Sequence, residues 1–104
     1  MAVRALDPFH EKLAEFSLDV DVRDRAITIV RRLPIGVRLP YPIPLNDGGL
    51  VLEWDRKGVF ADIELRPDLT IIVSFTGNDG ATSGRFESID EIDEFLGLVG
   101  RYFR

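Results

Sequence analysis

Hydrophobic positions along this chain follow two different periods, and the change from one to the other divides it. Leu6, Phe9, Leu13 and Phe16 recur at helical spacing, with Glu11, Lys12 and Glu15 on the opposite side. Asp7-Pro8 supplies a capping acceptor followed by a proline whose missing N–H costs nothing at a helix start, so the pattern predicts a helix over 8–17. A second stripe, Val22, Ala26, Ile29, Val30 and Leu33, predicts a helix over 22–33. Asp21 is its expected cap, with Asp24 in a capping-box-like position, and Pro34 and Gly36 end it.

From Leu39 onward the period shortens to two. Pro40, Pro42 and Pro44 alternate with Tyr41, Ile43 and Leu45. Alternate residues of a strand send their N–H groups to the same side, so these prolines remove donors from one side only. The expected result is an edge strand whose outer side cannot template another chain. Asn46-Asp47-Gly48-Gly49 reverses the chain. Leu50, Leu52 and Trp54 then share one strand face, and Asp55-Arg56-Lys57-Gly58 reads as a four-residue turn. That turn would pair Trp54 with Val59, Leu52 with Ala61 and Leu50 with Ile63. A three-residue loop after Arg66 puts Ile71, Val73 and Phe75 on the core face and Leu69 in a left-handed conformation, at about 1 kcal/mol.

Residues 77–84 are polar and glycine-rich and read as a mobile connecting loop. Ser88 and Glu91 form a capping box before the stripe Ile89, Ile92, Phe95, Leu96, Val99 and Phe103, which predicts a helix over 89–103. The expected fold is α+β: one domain, residues 1–104, built as a two-layer sandwich. It combines an antiparallel meander of three to four strands (41–45, 50–54, 59–66, 70–76) with two N-terminal helices and one C-terminal helix. Three amphipathic helices exceed what one small sheet face needs. Either one covers an end of the sheet or a homodimer buries the surplus.

Composition narrows the class of function. The 104 residues are 45% hydrophobic and 30% charged, an ordinary soluble balance, and no apolar run approaches the roughly 18 residues of a membrane span. No signal-peptide core is present near Met1 and there is no cysteine, so a cytoplasmic protein without disulfides or thiolate chemistry is expected. The net charge of −5 divides unevenly, with residues 1–38 at +1 and residues 39–104 at −6. That balance argues against a nucleic-acid partner, whose binding rests on clustered positive charge.

Candidate chemistry is sparse. His10, the only histidine, has no marked nucleophile beside it and reads as an exposed helix residue. Asp19, Asp21 and Asp24 match no metal-loop spacing, and helix capping accounts for Asp21 and Asp24. Glu53, Asp62 and Glu64 fall on the outer sheet face, where neighbouring carboxylates can split their pKa values or simply meet water, with Arg66 or Lys57 to neutralise them. The Gly77–Gly84 stretch lacks the ending of a phosphate loop. Glu87, Asp90, Glu91, Asp93 and Glu94 are the densest charge and suit either a helix N-terminus or a basic partner. Arg23, Arg31, Arg32 and Arg38 form the basic counterpart.

The run Pro40 to Trp54, P-x-P-x-P-x-N-D-G-G-x-x-x-E-W, resembles a pattern in small bacterial and phage proteins, where a proline-rich strand, a D-G-G turn and an E-W strand precede an acidic hairpin. The resemblance covers about half the chain and implies an architecture without a chemistry. Where that group often carries Pro-Asp-Gly, this chain has Pro67-Asp68-Leu69. The functional expectation is a non-catalytic protein-binding module with no cofactor or metal. Its expected contacts are Glu87, Asp90, Asp93 and Glu94 on one side and Arg23, Arg31 and Arg32 on the other. Two alternatives stay open: a phage- or mobile-element-encoded modulator (antitoxin, immunity or host-takeover protein), on the resemblance, and a metal-dependent hydrolase using Glu53, Asp62 or Glu64.

Overall fold

The computed structural model describes residues 7–78 and 80–104. In chain order its elements are α1 (Asp7–Ala14), α2 (Val20–Arg32), β1 (Tyr41–Pro44), β2 (Leu50–Arg56), β3 (Val59–Leu65), β4 (Ile71–Gly77), β5 (Gly80–Phe86), a 3₁₀ turn (Ile89–Ile92) and α3 (Asp93–Tyr102). The class is α+β as expected. The sheet, however, has five antiparallel strands in the order β1-β2-β3-β4-β5, where three to four were expected.

The extra strand is β5, in the stretch expected to be a mobile loop. Its residues pair with β4 from Gly77↔Gly80 through Val73↔Gly84 to Ile71↔Phe86. Small polar residues on both faces hide such a strand from any period-two reading, because an edge strand buries little of its own surface.

One sheet face carries the core. Leu50, Leu52 and Trp54 of β2, Ala61, Ile63 and Leu65 of β3, and Ile71, Val73 and Phe75 of β4 are all buried. They join one cluster with Val22, Ala26, Ile29 and Val30 of α2 and Phe95, Leu96 and Val99 of α3. The β2–β3 register differs by two residues from the expected one: Trp54 faces Ala61, Leu52 faces Ile63 and Leu50 faces Leu65. The turn is the two-residue Lys57-Gly58, with φ of 26° and 81°, as in hairpins of the primed type. A shift of two keeps every side chain on its face, so the core assignment survives. The next loop has the expected three residues, closed by Arg66 N–H donating to the Thr70 carbonyl at 3.0 Å. Leu69 takes the left-handed conformation there, with φ 71°.

Helix ends differ from the expected ones for local reasons. Asp19, rather than Asp21, caps α2: its carboxylate accepts from Asp21 N–H at 3.0 Å, so the helix starts two residues early. Asp24 takes no part in that cap. The last turn of α1 tightens through Glu15 N–H to Lys12 O and Phe16 N–H to Leu13 O, which stops the helix at Ala14 rather than residue 17. Leu6 and the Asp7 side chain lie outside the described residues. The Ser88–Glu91 capping box forms as expected, but it opens a 3₁₀ turn, and α-helical bonding begins only at Asp93.

Trp54 ties the layers together. Its indole N–H donates to the Arg38 carbonyl at 2.8 Å, and Arg38 N–H donates to the Phe103 carbonyl at 2.8 Å. The Arg56 guanidinium donates to the carbonyls of Tyr102, the last residue of α3, and of Arg104 beyond it. The end of α3 is thereby fixed against the β2–β3 hairpin. That anchoring positions the space between α3 and β5.

Candidate functional site

The backbone of β5 and the exposed side of α3 face one another across a groove of about 670 Å³. Its strand wall is Thr82, Ser83, Gly84 and Phe86; its helix wall is Glu91, Glu94, Phe95, Gly97, Leu98 and Arg101; Val73 contributes from β4. Two glycines lie in its walls. At Gly84 a Cβ would lie 2.8 Å from the Phe86 ring, so that ring folds over the strand only because Gly84 has no side chain. At Gly97 a Cβ would meet nothing within 4 Å. A glycine inside a helix costs about 1 kcal/mol relative to alanine. Here that cost leaves room on the groove wall.

The groove has a polar direction. Glu91, Glu94, Leu98 and Arg101 follow one another at helical spacing, so acid stands at the start of α3 and a guanidinium near its end. The strand wall runs the other way. Phe86 lies at the acidic end, one short link before the capping box. Thr82 pairs with Phe75, whose ring lies 5.1 Å from Tyr102, so it marks the Arg101 end.

The expected contact residues divide into two groups. Arg32 reaches across from α2 to Asp90 at 2.7 Å and to Asp93 at 3.5 Å, so the basic and acidic faces adjoin at this point. The hydrogen bond that Arg32 donates to the Asp90 carboxylate is the main reason its guanidinium holds its proton more firmly than usual. All three side chains are solvent-exposed, and such pairs contribute little to stability. Glu87 offers its carbonyl to Arg25, which also donates to the Leu69 carbonyl at 2.7 Å. Glu91 serves the cap, accepting from Ser88 N–H at 3.0 Å. Glu94 is exposed on the groove wall. Arg23 and Arg31 are exposed on α2, away from the groove lining.

On the sheet face opposite the core Glu53 stands directly across from Asp62, with Glu64 next but one along β3. Burial, then Glu53, then Glu64 push the Asp62 carboxyl above its ordinary pKa. Glu64 is neutralised by Arg66 at 2.6 Å, one of the two cations expected to do so. Among the described residues no group of three or more His, Asp or Glu side chains could hold a metal ion. His10 departs from its expected exposure. It is half-buried, and its Nε2 is shielded from water with no hydrogen-bond partner among the described residues.

Gly84, Phe86, Gly97, Leu98 and Arg101 form the groove, and sequence reasoning assigned none of them to a site. The available signals were Gly97 inside an otherwise well-formed helix stripe and Gly84 two residues before an isolated aromatic. Among the described residues no helix is long and apolar enough to cross a membrane. The chain matches no protein-family model, no curated protein and no solved structure.

Proposed function

We propose that the protein is a non-catalytic protein-binding module whose contact surface is the groove between β5 and α3. The partner it takes is a basic segment of another protein. The observation that carries this reading is the groove itself: apolar at Phe86, Phe95 and Leu98, with small walls at Gly84 and Gly97, and bordered by the exposed carboxylate of Glu94. Concave apolar surface with a few placed charges is the usual form of a recognition site. The net charge of −5 adds attraction for a basic partner over a distance of about 8–10 Å at physiological salt. Asp90 and Asp93 contribute less, because Arg32 already stands against them.

The test compares Glu94→Lys and Gly97→Leu with the unaltered chain in affinity capture from the native host, at low and high salt. A captured protein that is lost from both variants and weakens with salt supports the reading. An unchanged set of captured proteins and an unchanged oligomeric state contradict it.

A further inference from the structure

The two edges of the sheet are chemically different. Backbone groups alternate sides along each strand. Leu45 N–H donates inward to the Gly49 carbonyl, so the nitrogens of Pro44 and Pro42 face outward, where neither carries a hydrogen. At the other edge the same alternation applies. Arg66 N–H to Thr70 O turns Thr70 and Ile72 toward β3, and therefore Ile71, Val73 and Phe75 toward β5. Their partners Phe86, Gly84 and Thr82 bond inward. Ala81, Ser83 and Arg85 are left with N–H and C=O pointing away from the sheet, and all three are exposed. Among the described residues no strand lies beyond β5, and β5 contains no proline.

Resting on the protein-binding reading above, we infer that the partner's basic segment docks as a sixth strand, antiparallel to β5, with alternate side chains in the groove against α3. Main-chain bonds supply affinity in this mode and side-chain pockets supply selectivity. The dimensions agree. Thr82 to Phe86 spans about 14 Å at strand rise. Glu91 to Arg101 spans about 15 Å at helical rise. An antiparallel segment therefore places its N-terminal residues beside Glu91 and Glu94 and its C-terminal end beside Arg101. The preferred ligand carries lysine or arginine first, then alternating apolar residues, and a carboxylate last. A second copy of this chain fits poorly, since it would bring a second acidic rim against the first.

The probe is the fluorescein-labelled peptide KKVTVTV with a free C-terminal carboxylate, titrated by fluorescence anisotropy. Two derivatives are N-methylated on one or the other set of alternate residues, and EEVTVTV is the charge control. KKVTVTV is expected to bind, EEVTVTV to bind at least about tenfold more weakly, and one N-methylated set alone to lose binding. Ser83→Pro, which copies the β1 device onto β5, should also weaken binding about tenfold. The methylated peptides keep the test valid if Ser83→Pro fails to fold. If Gly97→Leu abolishes binding while Ser83→Pro and both methylated sets have no effect, strand addition is overturned and the groove reading stands. If KKVTVTV does not bind the unaltered chain, the proposed ligand chemistry is overturned, and capture from the native host then decides the broader reading separately.

Discussion

Pro42 and Ser83 hold equivalent places on opposite edges of one sheet, each with its backbone nitrogen turned outward, and only that of Ser83 bears a hydrogen. An edge without donors cannot receive another strand, whereas an edge with them can. The protein closes one side of its sheet and leaves the other available. Pro42→Val with Pro44→Val should open the closed side. Light scattering across a concentration series is expected to show self-association beyond that of the unaltered chain, and an unchanged mass would count against the role given to the prolines.

Leu69 spends conformational energy in the β3–β4 loop. Its φ of 71° suits glycine, but the residue is only 40% exposed, so removing the side chain relieves strain and gives up burial at the same time. Leu69→Gly should therefore stay within about 1 kcal/mol of the unaltered chain in urea unfolding, the relieved strain offsetting lost burial and the added freedom of the unfolded chain. A loss above that amount would mean that packing beneath Arg25 outweighs the strain.

Asp62 gives the outer sheet face a pH dependence. Its folded pKa is raised by burial, by Glu53 and by Glu64, so its ionised form opposes folding at neutral pH. That opposition should fade as pH falls through the raised value toward the ordinary carboxylate range. Asp62→Asn is expected to be more stable than the unaltered chain at neutral pH, with the difference shrinking on acidification. Asp68 works in the opposite sense, because Thr70 N–H donates to its carboxylate at 2.9 Å and holds its pKa low. Asp68→Asn should lose stability above the ordinary carboxylate range and match the unaltered chain below the lowered value.

His10 carries a shielded ring nitrogen with no partner among the described residues. An unmet polar atom in such a place costs about 1–3 kcal/mol. His10→Leu should stabilise the fold by about 1 kcal/mol after allowance for partial exposure, seen as a higher urea midpoint at unchanged slope. A lowered midpoint would show that the imidazole makes a contact the leucine cannot replace.

What could be read from sequence was what neighbours in sequence decide. Leu50, Leu52 and Trp54 alternate, so their shared face was legible even though the Lys57-Gly58 turn moved the register by two. Leu69 and the Ser88–Glu91 box depend on three or four consecutive residues and were legible as well. Gly80–Phe86 has no alternation to read, because an edge strand flanked by water and by an open groove needs none. The groove was hidden for a related reason: Gly84 and Gly97 signal nothing until the fold sets their elements face to face. Arg32 with Asp90, 58 residues apart, is a pair that only tertiary structure creates.

The outward amides of β5 offer the most direct reading of how the groove is used. Amide exchange by NMR on the labelled protein, with and without KKVTVTV, should show slowing at Ala81, Ser83 and Arg85. Thr82 and Gly84, already bonded to β4, should change little. That alternation is the expected result; exchange at those three amides left as fast with saturating peptide as without it would contradict strand addition at this edge.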